Sequence, residues 1–138
     1  MITVPVRADR LGQRTVPTME FVITHKSGAR IHEAALVDTG SAFLILSELL
    51  LANLGFPTGL AKRFKGGVEG ISGRTDVWRL DDCSVALIDA DGASHAVNSP
   101  VFFTRRLHVP IMGGETLRAF NARLHLDFAT MEGFVELG

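Results

Sequence analysis

The chain has 138 residues, 46% hydrophobic and 21% charged, which suits one folded domain spanning 1–138 and excludes disorder and fibrous repeats. Fourteen Lys and Arg against fifteen Asp and Glu leave a formal net charge of −1, so neither nucleic acid nor an anionic membrane is an expected partner. Cys83 is the lone cysteine, which excludes an intrachain disulfide, and no run of about 18 apolar residues offers a membrane span.

In chain order, Ile2 to Val6 reads as a short extended opening, with Pro5 suited to an edge. The N-terminal stretch lacks the apolar run of an export signal, and the cytoplasm is the default compartment. Phe21–Thr24, a turn at Ser27-Gly28, and Ile31–Val37 form an expected hairpin. A further strand follows over Phe43–Leu46. Ser47 then stands where it can cap a short helix ending near Gly55, with Pro57 beyond. Residues 65–73 read KGGVEGISG, four glycines in nine, a segment that bends cheaply and keeps small side chains near whatever it covers. Thr75–Leu80 alternates, Cys83–Ile88 is apolar, and Asp89–Gly92 is a turn. His95–Phe103 is extended but broken by Pro100. Val109–Met112 leads into Gly113-Gly114 and a helix from Glu115 to Asn121, with Leu117 and Phe120 on one face. His125–Phe128 and Gly133–Leu137 close the series. The expected fold class is all-β, a mostly antiparallel, closed barrel-like sheet with two short helices, because the long crossover helices of a parallel α/β sheet are absent.

The chemistry centres on Asp38-Thr39-Gly40-Ser41. An apolar strand, Ala35 to Val37, runs into the aspartate, Gly40 permits close backbone approach, and Phe43 re-enters the core. One aspartate does not easily perform both proton transfers of peptide hydrolysis. Two that share a proton do, since like charges about 3 Å apart cannot both ionise cheaply. The chain holds a single Asp-Thr-Gly, so the second carboxylate must come from a second copy across a two-fold axis.

The segment Ala35 to Ser41 resembles the active-site motif of retroviral-type (retropepsin-like) aspartic proteases, including bacterial single-domain members. Val109–Leu117 resembles the late apolar-apolar-Gly segment and helix of that family, and Gly66–Gly73 falls where the family places its substrate-covering flap. The resemblance implies a homodimeric aspartic endopeptidase in which Asp38 from each subunit activates one water for proteolysis of a peptide or protein substrate. It implies that Thr39 makes the reciprocal threonine contact beneath the aspartates. Gly40 would lie against the substrate backbone, and Ser41 would hydrogen-bond to the outer oxygen of Asp38, pulling activity toward acid pH. It also implies that Gly67, Val68, Gly70 and Ile71 belong to the flap, whose tip falls at Gly67, Gly70 or the neighbourhood of Ile71, with Val68 and Ile71 placed to touch substrate side chains. Viral members follow the motif with an aspartate that pairs with an arginine after the late glycine. Here those places hold Ala42 and Gly114, so both partners are missing together.

No metal or other cofactor is expected: His25 and His32 precede Asp38, but there is no HExxH, and neither glycine pair forms a nucleotide loop. Ser41 lacks a GxSxG elbow. Cys83 has no base assigned to it and reads as packing. The alternative to an enzyme is a catalytically inactive dimeric peptide-binding or interaction module of the same fold. The chain ends, Ile2–Val6 and Phe134–Leu137, are candidates to interleave across the dimer.

Overall fold

A computed structural model describes residues 1–64, 67–70, 73–105 and 107–138. Among these residues fourteen strands are present: β1 (Ile2–Leu11), β2 (Arg14–His25), β3 (Arg30–Val37), β4 (Ile45–Ser47), β5 (Lys62–Arg63), β6 (Val68–Gly70), β7 (Gly73–Thr75), β8 (Trp78–Leu80), β9 (Cys83–Ile88), β10 (Ser94–Asn98), β11 (Val101–Thr104), β12 (Ile111–Met112), β13 (Ala122–Asp127) and β14 (Glu132–Leu137). Two α-helices, α1 (Glu48–Asn53) and α2 (Gly114–Ala119), and a 3₁₀ turn at Thr58–Leu60 complete the described elements. Neither helix is long or apolar enough to cross a membrane.

The all-β expectation holds, but closure does not. The main sheet has twelve strands among the described residues: ten follow an open path, β13-β14-β1-β2-β3-β12-β4-β11-β8-β5, and β9 and β10 branch from β2. The branch arises because β2 is long enough to serve two partners along one edge. Arg14–Thr18 pairs with β1, while Phe21–His25 pairs with β9. On its other edge β2 carries β3 in the expected hairpin. Two pairings are parallel, β12 with β3 and β11 with β4, and they span only two and three residue pairs.

The chain ends do not stand free for interleaving. Ile2–Val6 pairs with Gly133–Leu137 of the same chain, and β14 has β13 along its other edge. The main core gathers Val4, Met19, Phe21, Ile23, Leu46, Leu51, Leu87, Phe103 and Met112, all nearly inaccessible to water. Burying a large aliphatic or aromatic side chain of this kind contributes about 1.5–3 kcal/mol each.

The six-residue helix α1 is too short to form on its own propensity. Ser47 occupies its N-cap position, but the hydroxyl makes no capping bond. Its C-terminus is better held. Gly55 at φ +81° donates to the Ala52 carbonyl, and the Phe56 N–H reaches the Leu51 carbonyl, while Phe56 and Leu51 are both buried. That is a Schellman closure with its apolar contact, and only glycine takes such a φ without strain.

Candidate active site

Asp38 leaves the end of β3 and is exposed. The next six residues arch over β12 and return as β4, so β12 lies between the strand that delivers Asp38 and the strand that receives the chain again. Ile111 is the shared residue, opposite Leu36 on one side and Ile45 on the other. The Leu36 N–H donates to the Pro110 carbonyl at 2.8 Å and the Asp38 N–H to the Met112 carbonyl at 3.1 Å. Ladder bonds therefore run up to the aspartate itself.

The arch is closed by its own bonds and by α2. The Gly40 N–H donates to Asp38 Oδ1 at 3.1 Å, and the Ser41 N–H to the Asp38 carbonyl at 3.0 Å, a side-chain and backbone turn typical of Asp-x-Gly. From the far side, the Gly114 N–H donates to the Ser41 carbonyl at 2.8 Å and the Glu115 N–H to the Ala42 carbonyl at 2.7 Å. These two backbone bonds join the neighbourhoods of Ala42 and Gly114. Each such bond contributes about 0.5–1.5 kcal/mol net. Gly113 is needed sterically, since a Cβ there would meet the Phe43 backbone at 2.5 Å; a Cβ on Gly114 would make a tight contact with the Thr39 carbonyl at 3.1 Å.

One functional support is invisible in the sequence. Thr116, buried in α2, accepts the Leu44 N–H on Oγ1 at 2.9 Å. Leu44 ends the arch, and its N–H has no strand partner there, so the threonine hydroxyl satisfies a buried donor. No local pattern signals this contact, which spans 72 residues of chain.

The other expected contacts distribute as follows. Asp38, Thr39, Gly40 and Ser41 lie together on the arch. The Ser41 hydroxyl is 3.5 Å from the Phe43 carbonyl and makes no bond to the Asp38 carboxylate within this chain, so the acid-shifting donor has no geometric support here. Val68 and Gly70 belong to β6, which pairs with β7 in an antiparallel hairpin, and Gly67 enters it at φ +63°. Ile71 lies outside the described residues. Trp78 is half-buried, stacked on Phe103 with the Arg105 guanidinium 5.3 Å from its ring. Among the described residues no group of three or more His, Cys, Asp or Glu is placed to hold a metal.

A surface depression of about 840 Å³ is lined by His25, Lys26, Asp82, Cys83 and Asn98 and includes no residue of the Asp38 arch. Its carboxylates are both ion-paired, Asp82 with Lys26 at 2.9 Å and Asp81 with Arg79 at 2.7 Å. Burial, aided by Asp82 and Asp81, pushes the Cys83 thiol up to about 11. The thiol is inert packing, as its sequence context suggested.

No protein-family model matches the chain, and no curated protein matches it. Solved structures do match its fold. A retropepsin-like aspartic protease from Rickettsia conorii superposes at TM-score 0.61 over 96% of this chain and 89% of that one, with 16% identity. The EIAV protease, solved with the inhibitor HBY-793, gives 0.51 over 86% of this chain and all of that one, with 18% identity. A third structure, edgp, gives 0.55 over 99% of this chain but 45% of its own length, with 15% identity. The chain has the retropepsin-like aspartic protease fold.

Proposed function

We propose that the chain is an aspartic endopeptidase that acts as a homodimer, with Asp38 of each copy forming the catalytic pair. The observation that carries this reading is the exposed Asp38 carboxylate on a turn braced from both sides by β12 and α2. One carboxylate oxygen is engaged by the Gly40 N–H, and the other has no hydrogen-bond partner among the described residues. A rigid, outward-facing acid of this kind is suited to meet a second copy of itself.

In the pair, one carboxylate is ionised and one protonated, because two charges at hydrogen-bond distance are too costly. The ionised member takes a proton from a water between them as the water oxygen attacks the peptide carbonyl carbon. The protonated member donates to the carbonyl oxygen. Collapse of the tetrahedral intermediate breaks the C–N bond, and a proton passes to the departing amine. Thr39 holds the two arches in register, and Gly40 leaves room for the substrate backbone. Ser41 serves through its carbonyl, which accepts from Gly114. The β6–β7 hairpin, with Gly67, Val68, Gly70 and Ile71, covers the bound peptide and limits water entry.

Digestion of a peptide library across a broad pH range, with Asp38→Asn alongside, tests the reading. Cleavage by the wild type that the substitution abolishes is the expected result. Peptide binding without cleavage at any pH points instead to a silent binding module. A species that stays monomeric while cleaving refutes the shared-acid mechanism.

A further inference from the structure

Phe43, Phe64 and Phe102 form an aromatic cluster separate from the main core. Phe43 stacks on Phe102 with centroids 4.2 Å apart and planes 18° apart. Phe64 meets both edge-on, at 5.6 Å and 75° to Phe43 and at 5.2 Å and 89° to Phe102. Buried Ile45 and Val77 and half-buried Leu107 complete the group. These are the favoured stacked and T-shaped geometries of aromatic pairs.

The three rings come from three different parts of the machinery. Phe43 lies on the arch, five positions after Asp38. Phe102 is in β11, which pairs with β4. Phe64 is the last described residue before the arm of the β6–β7 hairpin. Its N–H donates to the Val77 carbonyl at 2.8 Å, and its carbonyl accepts from Gly67 at 3.1 Å. Among the described residues β6 and β7 pair only with each other, and the described bonds between the hairpin and the sheet lie at its base. That base consists of the Phe64–Val77 bond, the β5–β8 pairing, and an ion pair of Arg63 with Asp76 at 2.9 Å. The ion pair is solvent-exposed and contributes little. Among the described residues, the apolar connection from hairpin base to Asp38 arch runs from the edge of Phe64 to Phe43, both directly and by way of Phe102.

We propose that Phe64 is a positioning residue, coupling the glycine-rich hairpin to the Asp38 arch through Phe43 so that the two segments order together. Its consequence for turnover rests on the endopeptidase reading above, whereas the coupling itself does not. Such coupling is reciprocal: loosening either end must loosen the other.

Hydrogen exchange on the whole protein tests it, using wild type, Phe43→Leu, Phe64→Leu and the double variant, which keep apolar volume at both sites. Phe64→Leu is expected to speed exchange at amides 38–44 about fivefold or more, and Phe43→Leu to do the same at 67–70 and 73–77. The β9 amides, 83–88, stay unchanged, and the double variant exchanges like either single one. Phe64→Tyr, which retains the ring edge, restores wild-type rates. Effects confined to the substituted segment, or summing in the double variant, overturn the proposal. In a cleavage assay Phe64→Leu raises KM more than it lowers kcat. If the wild type cleaves nothing yet the exchange rates are coupled, the enzymatic reading fails and this inference stands. Cleavage with uncoupled exchange has the opposite meaning: the endopeptidase survives and the coupling is overturned.

Discussion

Gly113 lies so close to Phe43 that a side chain between them has no room: a Cβ would sit 2.5 Å from both the amide nitrogen and the carbonyl oxygen of Phe43. Gly113 itself has φ −90°, an ordinary value, so the demand for glycine is purely one of approach. The atoms it would strike are backbone, and backbone cannot rotate away as a side-chain tip would.

Gly113→Ala is therefore expected to displace the arch that leads from Asp38. Overpacking of this type costs about 1–3 kcal/mol. Gly114→Ala is milder, because its nearest obstacle is the Thr39 carbonyl at 3.1 Å. Thermal melts should place Gly113→Ala below both Gly114→Ala and wild type, and peptide turnover should be lowest in Gly113→Ala. Equal melting of the two variants would contradict the steric account.

Thr116 makes a second, electrostatic demand on the same arch. Thr116→Val keeps the volume but leaves the Leu44 N–H buried without its acceptor at 2.9 Å. Stranding a buried donor costs about 1–3 kcal/mol. Thr116→Ser retains the acceptor and should lose clearly less in a urea titration. If valine and serine variants unfold at the same midpoint, the hydroxyl is not what holds Leu44.

The parts of this site that were legible in the sequence are those encoded locally. Asp38-Thr39-Gly40 reads as a turn because Gly40 must approach the Asp38 carboxylate, and Cys83–Ile88 reads as a strand because its run of apolar residues is buried. The second half of β1 was not legible. Arg7 to Leu11 forms a ribbon with Arg14–Thr18 in which Val16 is the one buried side chain, so this part of β1 shows no hydrophobic period, and the turn depends on Gly12 at φ +63°. The insertion of β12 between β3 and β4 was equally hidden, since two residues carry no periodicity and both partners lie more than 60 positions away in sequence. The closed barrel failed for a related reason. Alternation tells which face of a strand is buried, not which strand lies at the end of the sheet.

Ser41 offers a test of the site that separates resemblance from geometry. Its hydroxyl faces the Phe43 carbonyl at 3.5 Å, not the Asp38 carboxylate. A donor that does not touch the carboxylate does not stabilise its charge. Ser41→Ala should therefore leave the acid limb of the pH–rate profile where the wild type has it, with a modest loss of stability at most. An acid limb that moves to higher pH in the variant would show that the hydroxyl reaches Asp38 in the working assembly.

A pH effect on stability is expected instead at the β9–β10 turn. Asp89 accepts His95 Nε2 on Oδ2 at 2.7 Å and the N–H groups of Ala93 and Asp91 on Oδ1, both at 2.9 Å. The His95 bond first, and the Ala93 and Asp91 amides with it, hold the Asp89 carboxyl below the ordinary aspartate value of 3.8. A carboxyl depressed by folding stabilises the native state while ionised. That contribution is fully present above 3.8 and disappears as the pH falls through the lower, folded value. Asp89→Asn keeps the shape and an acceptor oxygen but removes the charge. Urea midpoints of wild type and variant should differ above pH 3.8 and converge as the pH falls through the lower, folded value. A gap that persists undiminished in acid would mean that the turn is held by its shape and amide bonds, with the charge contributing nothing.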